Sequence, residues 1–118
     1  MKNSHKGISR LVSAFGYSLS GFKAAYAQET AFRQEVWLLI AATITAFCVD
    51  VTAYERFALI ASVVLVLIVE LLNTGVETLG DRISEEYDPY VKKAKDAGSA
   101  AVLLALLLAV SCWTVILL

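Results

Sequence analysis

Apolar residues recur in steps of three and four near the start of the chain, at Ile8, Leu11, Val12, Phe15, Leu19, Phe22 and Tyr26. Ser9, Arg10, Ser13, Tyr17, Ser20 and Lys23 fall between them. That spacing predicts an amphipathic helix over about residues 8–28 with a basic, hydroxyl-rich polar face. It is too polar to cross a bilayer and is expected to lie along the membrane surface. Three longer apolar segments follow. Residues 36–49 are short for a span and reach spanning length only if helix continues back to residue 31, giving a span over about 31–49. Residues 57–80 form the second, expected as a span over about 56–80 and interrupted by Glu70, Asn73 and Glu77. Residues 97–118 carry no charge, and a span over about 95–117 is expected, since about 20 residues suffice to cross the hydrocarbon. Residues 50–56 read as a short connection. Residues 81–96 read as a longer polar one that holds the single proline, Pro89. The pattern therefore predicts an all-α membrane protein, a surface helix plus three transmembrane helices in one domain spanning residues 1–118.

Composition sharpens this picture. Of 118 residues, 58% are hydrophobic and 18% charged, and a soluble domain this small has too little interior to hide so much apolar surface. The formal charge of −1 leaves no basic excess to pair with phosphates, which argues against a nucleic-acid partner. Cys48 and Cys112 sit inside apolar runs without metal-ligand spacing and read as small hydrophobes. His5 reads as solvated. The first residues lack the continuous apolar stretch of a cleaved signal peptide, so they are expected to be retained. Lys2, Lys6, Arg10, Lys23, Arg33, Arg82, Lys92, Lys93 and Lys95 fall on one side of the predicted spans, and Arg56 alone on the other. By the positive-inside rule the N-terminus and the second connection are expected in the cytoplasm and the C-terminus outside.

The second span carries the candidate chemistry. Glu70, Asn73 and Glu77 are spaced by three and four and share one helix face, with Asp81 continuing the stripe. Glu70 and Glu77 stand roughly 10 Å apart along the axis. Carboxylates at membrane depth are costly and mark function more often than packing, although one Asn alone could glue helices together. The deeper Glu70 suits a general base acting on a hydroxyl, or a proton-coupled carrier site. Glu77, nearer the interface, could hold Mg²⁺ together with substrate phosphates, with Glu29 as a candidate partner. Lys95 and Asp96 open the third span on the same side. Phosphoryl transfer needs little beyond positioning, a metal and a base. Neither a Walker A motif nor GxGxxG is present, so a standard kinase fold is excluded.

Taken together, Ala31, Phe32, Arg33, Gln34 and Glu35, the Ile68–Asn73 stretch with Glu77 and Asp81, and the run from Ala94 to Val102 resemble the bacterial membrane-integral diacylglycerol kinase family. The likeness extends over nearly the whole chain. It implies a homotrimer in the inner membrane that transfers the ATP γ-phosphate to diacylglycerol in active sites shared between subunits. By the same resemblance Glu70 is the catalytic base, supported by Asn73, and Glu29 and Glu77 hold Mg²⁺ on the ATP phosphates. Arg10, Tyr17, Glu86, Tyr87, Asp88, Lys95 and Asp96 are implied as nucleotide contacts. Lipid contacts are implied at Arg10, Ala14, Phe15, Gly16, Tyr17, Ser18, Leu19, Lys23, Ala24, Ala25, Tyr26, the 31–35 stretch, Cys48, Val49, Asp50, Val51, Arg56, Glu70, Ser99 and Trp113. Tyr26 and Cys48 stand where the family commonly has Trp, and Asp88-Pro89 where a His is often found.

Each residue also has a plainer role open to it. Arg10 and Lys23 could bind anionic headgroups, Lys95 could pair with Asp96, Arg33 with Glu35, and Trp37 and Trp113 could be interfacial belt residues. Gly75 and Gly80 could permit close helix approach. A related undecaprenol kinase, a small proton-coupled transporter using Glu70, and an assembly subunit with a structural polar stripe are the alternative functions. ATP consumption that depends on added lipid alcohol separates a kinase from the last two.

Overall fold

The computed structural model describes residues 6–118, so Lys2 and His5 lie outside the described residues. Four helices follow in order: α1 (Ile8–Gln28), α2 (Thr30–Cys48), α3 (Ala53–Ile83) and α4 (Pro89–Leu117). The last three are each long and apolar enough to cross a membrane. The architecture is all-helical, as the periodicity predicts, but the polar ends behave differently. The connection expected over residues 50–56 shrinks, because Thr52 starts α3 with a capping box: its hydroxyl accepts from Glu55 N and the Glu55 carboxylate accepts from Thr52 N. Two orphan donors are satisfied reciprocally, so helix begins at once. The connection expected over residues 81–96 shrinks further. Helix α3 runs on to Ile83, and Asp88 caps α4 by accepting from Tyr90 N and Val91 N, with Pro89 in the first turn. Proline is tolerated there because its missing N–H would be unpaired anyway.

A single extended residue, Glu29, separates α1 from α2. Neither α1 nor α2 has a basic residue in its own last turn, and in both cases an arginine from the following segment supplies the charge. Arg33 Nη1 donates to Tyr26 O and Ala27 O, and its Nη2 to Thr30 Oγ1. Arg33 thus closes the elbow and does not pair with Glu35. Arg56 Nε donates to Ala46 O at 2.8 Å and Nη2 to Val51 O at 3.2 Å, while its guanidinium lies 5.4 Å from the Phe47 ring centroid. A cation at carbonyls left open by a helix end favours the macrodipole as well as filling the acceptors.

Packing is tightest between α3 and α4, with α2 also against α3 and α1 against α2. Ala25, Phe32, Ala42, Val63 and Leu67 form one buried cluster, and Val66, Ala105 and Ala109 another. Small residues at these contacts let the helices approach closely. Around this thin core Leu103, Leu104, Leu107, Leu108 and Val110 are exposed, which suits a hydrocarbon solvent. Thr43 and Thr45 hide their hydroxyls on Leu39 O and Ala41 O, the usual way a lipid-facing helix keeps polar groups satisfied. Trp113, open to an interfacial role by sequence, turns inward: its indole N–H donates to Leu59 O and Ser62 Oγ, both at 3.1 Å. It pins α4 to α3.

Candidate active site

The carboxylate stripe survives folding as a partly buried face of α3. Asn73 is buried and Glu70 and Glu77 are half-buried. Asn73 Nδ2 donates to Glu77 Oε2 at 3.3 Å, which orients that carboxylate one turn along the helix. On its other side Asn73 faces Gly98 of α4, and a Cβ there would overlap Asn73 Oδ1. That Oδ1 is buried and accepts no hydrogen bond from the protein. The missing side chain at Gly98 is therefore what lets Asn73 sit between the helices.

Glu35 of α2 and Glu70 of α3 face one another, and Glu77 and Glu29 lie within electrostatic reach of Glu70. Two carboxyls converge from different helices because the elbow at Glu29 turns α2 alongside α3. Glu35, expected among the lipid contacts, thus stands beside the candidate base, with its Oε1 buried and unpaired. No group of three or more His, Cys, Asp or Glu side chains is clustered tightly enough to hold a metal by itself among the described residues. Glu29 and Glu77 would supply only two hard oxygen donors, so a cation held there would take the rest of its shell from phosphate oxygens and water, as Mg²⁺ does.

A second polar locus lies at the α3–α4 turn. A cleft of about 530 Å³ is lined by Asp81, Ser84, Glu85, Glu86, Tyr87, Asp88, Val91, Lys92, Lys95 and Asp96. Five residues expected to contact a nucleotide, Glu86, Tyr87, Asp88, Lys95 and Asp96, are brought together here. Their internal pairing differs from the sequence reading. Lys95 Nζ bonds Asp81 Oδ1 at 2.5 Å, while Asp96 is taken by Lys92 at 2.6 Å. Asp88 already uses Oδ1 as a helix cap. Gly80 gives the close approach expected of it, since a Cβ there would stand 3.0 Å from Lys95 Cε, whereas Gly75 has nothing within 4 Å.

The remaining expected contacts scatter along α1 and the elbow. Arg10 and Tyr17 lie exposed on α1 and are not among the residues that line the turn cleft. Ser18, Ala24 and Ala25 line a groove of about 500 Å³ shared with Leu71, Thr74, Gly75 and Thr78 of α3. Lys23 and Tyr26 line another of about 440 Å³ with Phe22, Val36, Leu39 and Leu67. Ala25 and Phe32 are only 3% and 2% exposed, so they hold the elbow together, and Trp113 and Arg56 likewise serve the helices. Ala14, Phe15, Gly16, Leu19, Ala31, Gln34, Cys48, Asp50 and Ser99 are exposed, and Val49 and Val51 partly so.

These features define a helical membrane protein built around a half-dry carboxylate stripe, with an ion-paired polar cleft one helical stretch away. The model of the family described as prokaryotic diacylglycerol kinase matches residues 16–117. The chain is 46% identical over 117 residues to a diacylglycerol kinase of Escherichia coli strain K12, covering 99% of this chain and 96% of that one. It is 48% identical to a diacylglycerol kinase of Pseudomonas aeruginosa, covering 95% and 91%, and 38% identical to one of Helicobacter pylori strain 26695, covering 94% and 84%. The chain belongs to the prokaryotic diacylglycerol kinase family.

Proposed function

We propose that this bacterial membrane protein transfers the γ-phosphate of ATP to the free hydroxyl of diacylglycerol, releasing ADP and phosphatidic acid. Lipid kinase activity follows from its family; the phosphate donor, the metal and the residue roles are the proposal. One observation carries it: a half-buried carboxyl, Glu70, stands inside a membrane-crossing helix with Glu35, Glu29 and Glu77 around it. Carboxyls at that depth are costly and mark function more often than packing.

In the proposed reaction the lipid oxygen forms a bond to the γ-phosphorus as the bond to the β–γ bridging oxygen breaks. Glu70 takes the hydroxyl proton, and the facing Glu35 offers it a second oxygen. Asn73 holds Glu77 in place. Glu29 and Glu77 would hold Mg²⁺, which when bound neutralises phosphate charge. The turn cleft favours this arrangement, because it pairs five carboxylates with only two lysines and would repel bare ATP. Diacylglycerol suits the grooves beside α1, whose walls are apolar and whose rim carries Lys23. Arg10 and Tyr17 do not line the turn cleft within one chain, and in the proposed homotrimer a neighbouring subunit brings them to the nucleotide. The same reading puts the N-terminus and the α3–α4 turn in the cytoplasm of the inner membrane.

The deciding experiment is ATP consumption by the purified protein in lipid vesicles, with and without diacylglycerol. The expected result is turnover that requires diacylglycerol and Mg²⁺ and is competed weakly by undecaprenol. Turnover that ignores the lipid, or that prefers undecaprenol, rejects the substrate assignment.

A further inference from the structure

Lys95 does not hang free from α4. Its aliphatic stem runs across Gly80 of α3, with Cε 3.0 Å from where a Gly80 Cβ would be. Its ammonium ends on Asp81 Oδ1 at 2.5 Å. Lys95 is about one-third exposed and Asp81 more than two-thirds. An ion pair that open to solvent contributes little to stability, so holding the hairpin together is a weak reason for it. Fixing the direction of a flexible four-carbon chain is a better one. A lysine ammonium has three donors, and Asp81 occupies one, leaving two for a ligand in the turn cleft that Lys95 lines. The neighbouring Lys92–Asp96 pair keeps Asp96 from competing for Lys95.

We infer that Asp81 is a positioning residue for the phosphoryl donor: it holds Lys95 in the orientation in which the ammonium meets the phosphates. The ordering cost of that long side chain is then met before the nucleotide arrives. This rests on Lys95 being a nucleotide contact, and the test separates the two ideas.

Titration calorimetry of the full-length protein in detergent, with the Mg²⁺ complex of a non-hydrolysable ATP analogue, reads the effect without requiring turnover. Asp81→Asn is expected to weaken analogue binding roughly 3- to 10-fold, the scale of an exposed pair and its ordering. Asp81→Glu should recover part of the loss, and KM for diacylglycerol and the thermal midpoint should stay unchanged. In a Lys95→Ala background, Asp81→Asn should add nothing, because the two residues act as one. Unchanged binding by Asp81→Asn, or an equal loss with and without Lys95, overturns the positioning role. A Lys95→Ala variant that binds the analogue normally overturns the nucleotide contact itself and the inference with it.

Discussion

Among single residues, the glycines and the tryptophan carry the sharpest consequences. Gly98 admits Asn73 because it has no Cβ. Gly98→Ala is expected to push Asn73 aside, cost about 1–3 kcal/mol by overpacking, and lower turnover by loosening Glu77. Thermal unfolding together with kinase assays checks both effects. Trp113→Phe keeps an aromatic ring but deletes the donor to Leu59 O and Ser62 Oγ, so a loss of about 1 kcal/mol is expected, with catalysis intact. Glu70, Asn73 and Glu77 are legible from spacing alone, since three polar groups at helical period in an apolar run cost more than packing can return. Asp81 is legible only as the continuation of that stripe and Gly98 not at all, because the role of each depends on which residue of another helix stands opposite. The small-residue run after Lys95 is the local sign of close approach.

At the level of the helix, the apolar periodicity predicts four elements with α1 at the expected place, yet it cuts α3 and α4 short. Polar residues at their ends look like loop by composition and are helical by capping. Thr52 with Glu55, and Asp88 followed by Pro89, are the local signals that helix starts there. Asp88→Ala should therefore cost about 1 kcal/mol, and Asp88→Ser should restore most of it. If neither variant shifts nucleotide affinity, Asp88 is a cap and not a ligand. The arginine clamps have no local signature, because their acceptors are backbone carbonyls of an earlier helix. Arg56→Gln should lower the unfolding midpoint by an amount equivalent to about 1 kcal/mol, measured in detergent, without altering KM for either substrate.

For the molecule as a whole, three spans with a thin core leave apolar faces that only lipid or sister subunits can cover. Glu70→Gln is expected to lower turnover by about 10²–10⁴-fold while sparing helicity and assembly. Glu77→Gln should raise the Mg²⁺ needed for half-maximal rate by about tenfold or more. Helix α3 has 31 residues and is about 46 Å long, against a hydrocarbon layer of about 30 Å. The helix is therefore longer than the layer it crosses, and Glu70 and Asp81 sit on it about 16 Å apart. In the proposed reaction α3 would work as a caliper, setting how far the acceptor's oxygen beside Glu70 stands from the donor's phosphates beside Asp81 and Lys95. One alanine inserted after Thr78 would turn Asp81 by about 100° relative to Glu70 while leaving the Glu70–Glu77 stripe whole, and should yield a fully helical, membrane-inserted protein that no longer joins its two substrates.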